Sequence, residues 1–400
     1  MNNKEGRFVV FLVFLQLLYT YPYVFEQILH LPAMRVVSIA NTAILTAYVF
    51  WRTKVFDVPK TLILCCFIQI GMWLFYYILH NDTAYFTRIY FVFSSLISIL
   101  ALAKSKSILL FTTINNNWLC AQAVMGLVAF ILVLIGVLYP LFEFENVDGR
   151  TCYFFGLTCS NAYYGSIIRS GGFFDEPGAL AFWSMFALVI NQLYFKNKKF
   201  ETILIVGLLS TLSMMYFMQL ALYFLFFKIK KIRILIPAVV FFALGFYFIQ
   251  SNPDSELYIR TFQRVEDAQN GHTNRDKMLE EAMYYFHTNP LFGIGATKSE
   301  KVDPVSDNPY ENLAIDGIIG TICLYLPLLI VLFRSFKTTR TRIFLKGTLV
   351  LVAGFVLRPF HVDFIHYFIV YLYLFLFLKR NIILQELAEW RSQKLNHWYQ

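Results

Sequence analysis

The chain has 400 residues, of which 58% are hydrophobic, 18% aromatic and only 15% charged, with a formal net charge of +9. A soluble domain carries about 25% charged residues and somewhat under half apolar ones, so this composition excludes an ordinary soluble fold and reads as an all-α polytopic membrane protein. The positive balance does not call for nucleic acid, because Lys and Arg collect in the cytoplasmic loops of membrane proteins.

A bilayer-crossing helix needs about 20 mostly apolar residues. By that measure spans are expected near 8–29, 34–51, 61–79, 83–103, 118–141, 177–195, 201–213, 214–229, 234–250, 312–333, 344–358 and 364–379. The total is about twelve, or about ten if the short pair meeting at Ser210-Thr211-Leu212-Ser213 is a re-entrant or broken hairpin. The first stretch, Phe8 to Leu29, is too long for a signal peptide and lacks a small-residue cleavage site, so it reads as a span. No linker, low-complexity tract or internal repeat divides the chain, which reads as a single membrane domain over 1–400.

Basic residues set the expected orientation. With the N-terminus inside, the clusters at Lys4/Arg7, Arg52/Lys54/Lys60, Lys104/Lys106, Lys196/Lys198/Lys199, Lys228/Lys230/Lys231/Arg233, Arg334/Lys337/Arg340/Arg342/Lys346 and Lys379/Arg380/Arg391/Lys394 all fall on the cytoplasmic side. Both termini are then cytoplasmic. Two long loops, 142–176 and 251–311, face outward. Cys152 and Cys159 lie in the first of them, where an oxidising compartment would permit a disulfide; two separate thiols are the alternative. Cys65, Cys66, Cys120 and Cys323 fall within spans and read as small buried residues.

Polar residues with chemical potential cluster at the outer ends of the spans. In Arg169-Ser-Gly-Gly-Phe-Phe-Asp175-Glu176-Pro177-Gly178, Asp175 is placed to cap a helix that Pro177 opens. The same stretch could cradle a phosphate or sugar hydroxyl between Arg169 and the helix N-terminus. In the large loop, Arg275 opens a helical periodicity through Met278, Leu279, Ala282, Met283, Tyr285 and Phe286, which predicts an amphipathic helix ending at Asn289-Pro290. Gly293 and Gly295 then permit a tight turn. Arg260, Arg264 and Arg275 could converge on one diphosphate, or could pair with the acidic residues around them.

Asp307, Asn308 and Tyr310 lead into the next span, and Asp307 and Asn308 suit a helix cap, while Glu311, Asn312 and Asp316 are costly at a membrane and are expected to face a protein interior or a watery cavity. The last outer turn, Arg358 to His366, sets His361 beside Asp363, a pairing that can move protons or simply be solvated. No P-loop, dinucleotide fingerprint or Cys/His metal spacing is present, so the sequence calls for no cofactor and no metal.

Three of these segments, in order and in matching loops, resemble the O-antigen polymerase and O-antigen ligase family of integral-membrane glycosyltransferases. They are Arg169 to Gly178, Arg275 with Asn289-Pro-Leu-Phe-Gly-Ile-Gly295, and Asp307-Asn-Pro-Tyr310 with Gly317-Ile-Ile-Gly320. The likeness covers about residues 160–325. It implies a GT-C-like fold and inverting, metal-independent transfer of an oligosaccharide carried on undecaprenyl diphosphate, on the periplasmic face of a bacterial inner membrane. It also implies contact with membrane lipids, a chain-length regulator and a flippase.

The ligases carry a histidine near the position of Ser306-Asp307-Asn308, where this chain has none, so the likeness points to the polymerase rather than the ligase. In that scheme Arg169 and Arg275 stabilise the diphosphate, with Arg260 and Arg264 behind them. Asp307 or Glu311 takes the acceptor proton, with His361 a weaker candidate. Asp175, Glu176, Asn308, Tyr310, Arg358 and His361 contact substrate. A transporter such as a lipid-linked oligosaccharide flippase is the reading from another class.

Overall fold

The computed structural model describes residues 4–29, 34–51, 58–146, 149–228, 274–301, 308–337, 341–357 and 363–398, without the side chains of 34–35, 274–276, 299–301, 357 and 393–398. The first half comprises α1 (Lys4–Leu18), α2 (Phe25–Leu29), α3 (Met34–Trp51), α4 (Lys60–His80), α5 (Ala84–Lys104) and α6 (Ile108–Leu134). After a small sheet come α7 (Pro177–Ile190), extended by a π-helical turn over Asn191–Phe195, then α8 (Lys198–Gly207) and α9 (Met214–Phe227). The remainder comprises α10 (Asn274–Thr288), α11 (Ala296–Lys301), α12 (Glu311–Leu324), α13 (Leu326–Ser335), α14 (Arg342–Leu357), α15 (Phe364–Leu378) and α16 (Arg380–Trp398).

Among the described residues, α4, α5, α6 and α7 with its π turn are long and apolar enough to cross a membrane. The bent pairs α12–α13 (47°) and α15–α16 (85°) bring the number to six if each is one span. Every residue of α7 is buried, as is α15 from Phe364 to Phe377. Helices apolar on all sides belong inside a bundle, and these two form its centre.

Several expected boundaries move, each for a local reason. The stretch 8–29 is not one helix: α1 ends at Leu18, and α2 starts only after a segment in which Asp175 N–H donates to Pro22 O (2.9 Å) and Val24 N–H donates to Phe173 O (3.1 Å). Partners far along the chain break this helix. The span expected from 118 begins instead at Ile108, and Asn115 and Asn116 in its first part are buried in the bundle. Asn115 is buried there and accepts a bond from Trp183 Nε1 (3.3 Å).

The expected weak pair does break where its polar residues meet: α8 ends in a single 3₁₀ turn, Leu208–Thr211, before α9. Residues 234–250 lie outside the described residues. The all-α expectation needs one correction. Loop 142–176 holds a three-stranded antiparallel sheet, β1 (Phe142–Glu145), β2 (Thr151–Phe154) and β3 (Cys159–Ser160), paired in that order. The alternation Phe-Glu-Phe-Glu in β1 has the two-residue period of a half-buried strand.

Cys152 and Cys159 are separate buried thiols in this sheet. Burial, then the neighbouring Cys152 and Asp175, push the Cys159 thiol well above its ordinary range.

Buried polar side chains fasten the helices together. Gln16 on α1 donates to Ser38 Oγ (2.7 Å) on α3 and Ser94 Oγ (3.2 Å) on α5. Gln69 on α4 donates to the Cys323 and Leu324 carbonyls (2.6 and 3.0 Å) and accepts from Tyr371 OH (2.6 Å). Those carbonyls lie at the α12–α13 bend, where helical bonding lapses and freed groups need partners.

Candidate functional site

The loop-bearing end of the bundle carries two linked constructions. In the first, the large loop is threaded onto a broken helix. Within α12, Gly317 adopts φ 64° and ψ −172°, which interrupts the helix. The Asn289–Gly295 turn lies in that interruption: Ile294 and Gly295 N–H donate to the Ala314 and Ile315 carbonyls, and Ile318 and Ile319 N–H donate to the Pro290 and Leu291 carbonyls. Gly293 (φ 68°) lies against the Ile315 carbonyl and Gly317 against the Leu291 carbonyl, so a Cβ at either position would overlap backbone.

Helix α10, which carries Arg275, leads directly into this turn and packs on α12. The Arg275 motif and the Glu311–Gly320 motif are therefore one interlocked unit.

Beneath the crossing lies an ion pair that sequence reasoning passed over. Arg88 Nη1 on α5 bonds both carboxylate oxygens of Asp316 at 2.7 Å, and both side chains have zero exposure. Tyr85 OH donates to Asp316 Oδ1 (3.1 Å), Tyr76 OH donates to Asp316 O (2.6 Å), and the guanidinium carbon lies 4.9 Å from the Trp73 and Tyr85 ring centres. The available signal was a lone arginine inside an apolar stretch, since ionisable residues there are rarely without purpose. Arg88 is about 6 Å along α5 from Ala84, in a helix about 31 Å long. The pair is thus near the loop-bearing end and not at the middle of the helix.

The crossing is fixed from the side by the α4–α5 turn. His80 Nε2 is 3.1 Å from Phe292 O. Asp82 accepts from Thr297 N–H (2.7 Å), Thr297 Oγ1 (2.5 Å) and Ala84 N–H (3.0 Å). Burial alone would raise the Asp82 carboxyl, but the Thr297 and Ala84 hydrogen bonds and the nearby Arg88 charge outweigh it and hold the group below the ordinary carboxylate range. A depressed folded-state pKa gives stability that is present above the unfolded value of about 4 and is lost as pH falls through the folded value. Asp82→Asn is accordingly expected to lower the melting temperature of detergent-solubilised protein at pH 7. Its difference from wild type should shrink as pH drops below about 4; a pH-independent difference would contradict this.

The second construction is a small cleft lined by Pro22, Phe174, the α7 residues Ala179, Phe182 and Trp183, and Asp363, Ile365 and His366 at the start of α15. A chain of contacts joins it to α12. The His366 ring lies 4.5 Å from that of Phe355 and 6.0 Å from that of Tyr325, and Asn312 Nδ2 donates to Tyr325 OH (2.7 Å). The Arg169–Gly178 segment, the start of α15 (Asp363–His366) and the start of α12 thus meet at one end of the bundle.

The expected site residues are placed as follows. Asp175 is buried and accepts from Tyr21 OH (2.6 Å) and Asn146 Nδ2 (3.1 Å). It does not cap α7: Glu176 occupies the cap position without a side-chain bond, and Pro177 opens the helix as expected. The pull of Tyr21 and Asn146 on the carboxylate explains the shift. Glu176 pairs with Arg150 at 3.7 Å. Arg169 Nε donates to Thr211 O (3.3 Å), so this guanidinium reaches the α8–α9 break.

Asn308 is buried and accepts from Tyr310 N–H (2.9 Å), forming a side-chain turn just before α12, and Glu311 is buried at the helix start. Arg275 lies on α10 with its side chain outside the described residues; Arg260, Arg264, Asp307, Arg358 and His361 lie outside them altogether. Among the described residues no group of three or more His, Cys, Asp or Glu could hold a metal ion. No protein-family model, curated protein or solved structure matches this chain.

Proposed function

We propose that this chain is a polysaccharide polymerase, a membrane glycosyltransferase joining oligosaccharide repeats carried on undecaprenyl diphosphate. The observation that carries the reading is the meeting of the three resemblance-bearing segments at one end of the bundle, two of them interlocked through the Gly293–Gly317 crossing. Such a reaction happens at a lipid headgroup, so its machinery belongs at the end of the spans. The leaving diphosphate gains negative charge as the bond breaks, and preorganised positive charge is the largest available help. Arg169 and Arg275, with Arg260 and Arg264 behind them, would supply it.

In this reading the chain has about twelve spans in a GT-C-like arrangement, counting those outside the described residues. Both termini are cytoplasmic and the active face is periplasmic, in a bacterial inner membrane. A transporter would be expected to hold its ionisable residues near the middle of its spans. The buried Arg88–Asp316 pair sits near one end instead.

Deletion of the gene tests the reading directly. Loss of a polymerase leaves surface glycolipid capped by single repeats; loss of a ligase or flippase leaves no capped form. Arg275→Ala should abolish long chains with unchanged protein in the membrane, and Arg275→Lys should restore them only in part, because lysine lacks the bidentate fork. Arg169→Ala should have the same effect, but Arg169 also holds the Thr211 turn, so Arg275 is the cleaner test. A normal chain-length ladder from Arg275→Ala would sink the assignment.

A further inference from the structure

We infer that the end of the bundle opposite the loops carries a binding site for an anionic phospholipid, at the corner where the α7 π turn, the first turn of α8 and one flank of α16 meet. The site lies at the far end from the proposed glycosyl transfer and does not depend on it. α16 leaves α15 at an angle of 85°, so it lies across the end of the bundle, close to the membrane plane when α15 crosses the bilayer. Its inner face buries Ile383 and Leu387. Arg391 Nη2 donates to Phe195 O (2.8 Å), and Tyr194 OH donates to Leu376 O (2.6 Å), which tie the π turn to α16 and to the last turn of α15.

The charges on α16 are segregated. Arg380 and Arg391 are about three turns apart and share one flank, beside the π turn. Glu386 and Glu389 fall on the other side, where Glu386 meets the Lys106 charge. Lys196, Lys198 and Lys199 follow Phe195 directly and are exposed. Among the described residues none of these five cations is in an ion pair, and the nearby Glu201 is taken by Lys228 (2.7 Å) and Tyr223 (2.9 Å). The apolar half of the site is on α8. Lys199, Ile203 and Val206 are spaced by four and three residues and so share a face, on which Ile203 is 40% and Val206 45% exposed. A cationic rim over an outward apolar face fits a lipid, with the anionic headgroup on the rim and the acyl chains along the helix. An acidic soluble partner would match the charge but leave the adjoining apolar face unexplained.

Full-length protein in a neutral detergent is titrated with phosphatidylglycerol, and the retained lipid is counted by native mass spectrometry. Phosphatidylglycerol is expected to stay bound where phosphatidylcholine with the same chains does not; equal retention of the two overturns the inference. Each basic residue beside an anionic headgroup contributes about fivefold in affinity, so Lys196→Gln with Lys199→Gln should weaken binding about 25-fold. Undiminished binding in this double variant would leave the patch to an acidic protein and overturn the lipid site. The same change at exposed Lys60 and Lys337, elsewhere in the chain, should weaken binding far less. A matching loss there would mean diffuse surface charge and no site. Melting temperatures of all variants in phosphatidylcholine should equal that of wild type. If the double variant melts lower, Lys199→Gln alone decides: about a fivefold loss is expected, and no loss overturns the inference. An equal rise in wild-type melting temperature with inorganic phosphate and with phosphatidylglycerol would indicate a free-anion site, which also overturns it.

Discussion

Gly317→Ala and Gly293→Ala should each lower the stability of the membrane domain by about 3 kcal/mol or more, among the largest effects of any single methyl group in this chain. Gly317 sits at φ 64° and ψ −172°, a region open essentially to glycine alone, where other residues store about 1–3 kcal/mol of strain. Overlap of the new Cβ with the Leu291 backbone adds to that, and Leu291 cannot retreat because its carbonyl is held by Ile319 N–H. Gly293 faces the same conflict with Ile315. The contrast is Gly71, on an exposed face of α4, where an added methyl group would meet nothing within 4 Å. Gly71→Ala should be neutral or stabilising by up to about 1 kcal/mol. Thermal melts of the three purified variants decide the matter; equal melting temperatures would mean that the crossing is not a fixed part of the fold.

Arg88→Ala is expected to be just as severe, through charge and not shape. Removing one member of a fully buried ion pair leaves the other unpaired, at a cost of about 3–5 kcal/mol. Solvent screening offers no relief, since both side chains have zero exposure. Replacing both charges by apolar residues of similar size, Arg88→Met with Asp316→Leu, should recover most of this loss. A deficit of about 1–3 kcal/mol should persist, because the Tyr85 hydroxyl loses its buried acceptor. A double variant no more stable than Arg88→Ala alone would show that the pair's value lies in its geometry and not in cancelled charge.

What the sequence made legible follows from what it records locally. Apolar length foretold the four to six helices able to cross a membrane among the described residues, and proline after an acidic pair marked the start of α7. The periodicity after Arg275 foretold α10, and the glycines that follow foretold a turn. The partner of that turn was not legible, because Gly317 reads as an ordinary small residue in a span until Leu291 is seen lying across it. Arg88 was visible as a charge in an apolar stretch, but its partner lies 228 residues away. Asp175 misled for the opposite reason: its sequence neighbours suggest a helix cap, yet Tyr21, 154 residues earlier, claims the carboxylate. Local rules fail where distant parts of the chain compete for the same polar group.

The divided first segment bears on how topology should be mapped. Residues 20–24 are anchored by Phe173 and Asp175, which emerge from the ribosome much later. Reporter fusions truncated anywhere before residue 176 would judge the leading helices without the strap that holds them. Sandwich insertions that keep the whole polypeptide would report the arrangement of the finished protein.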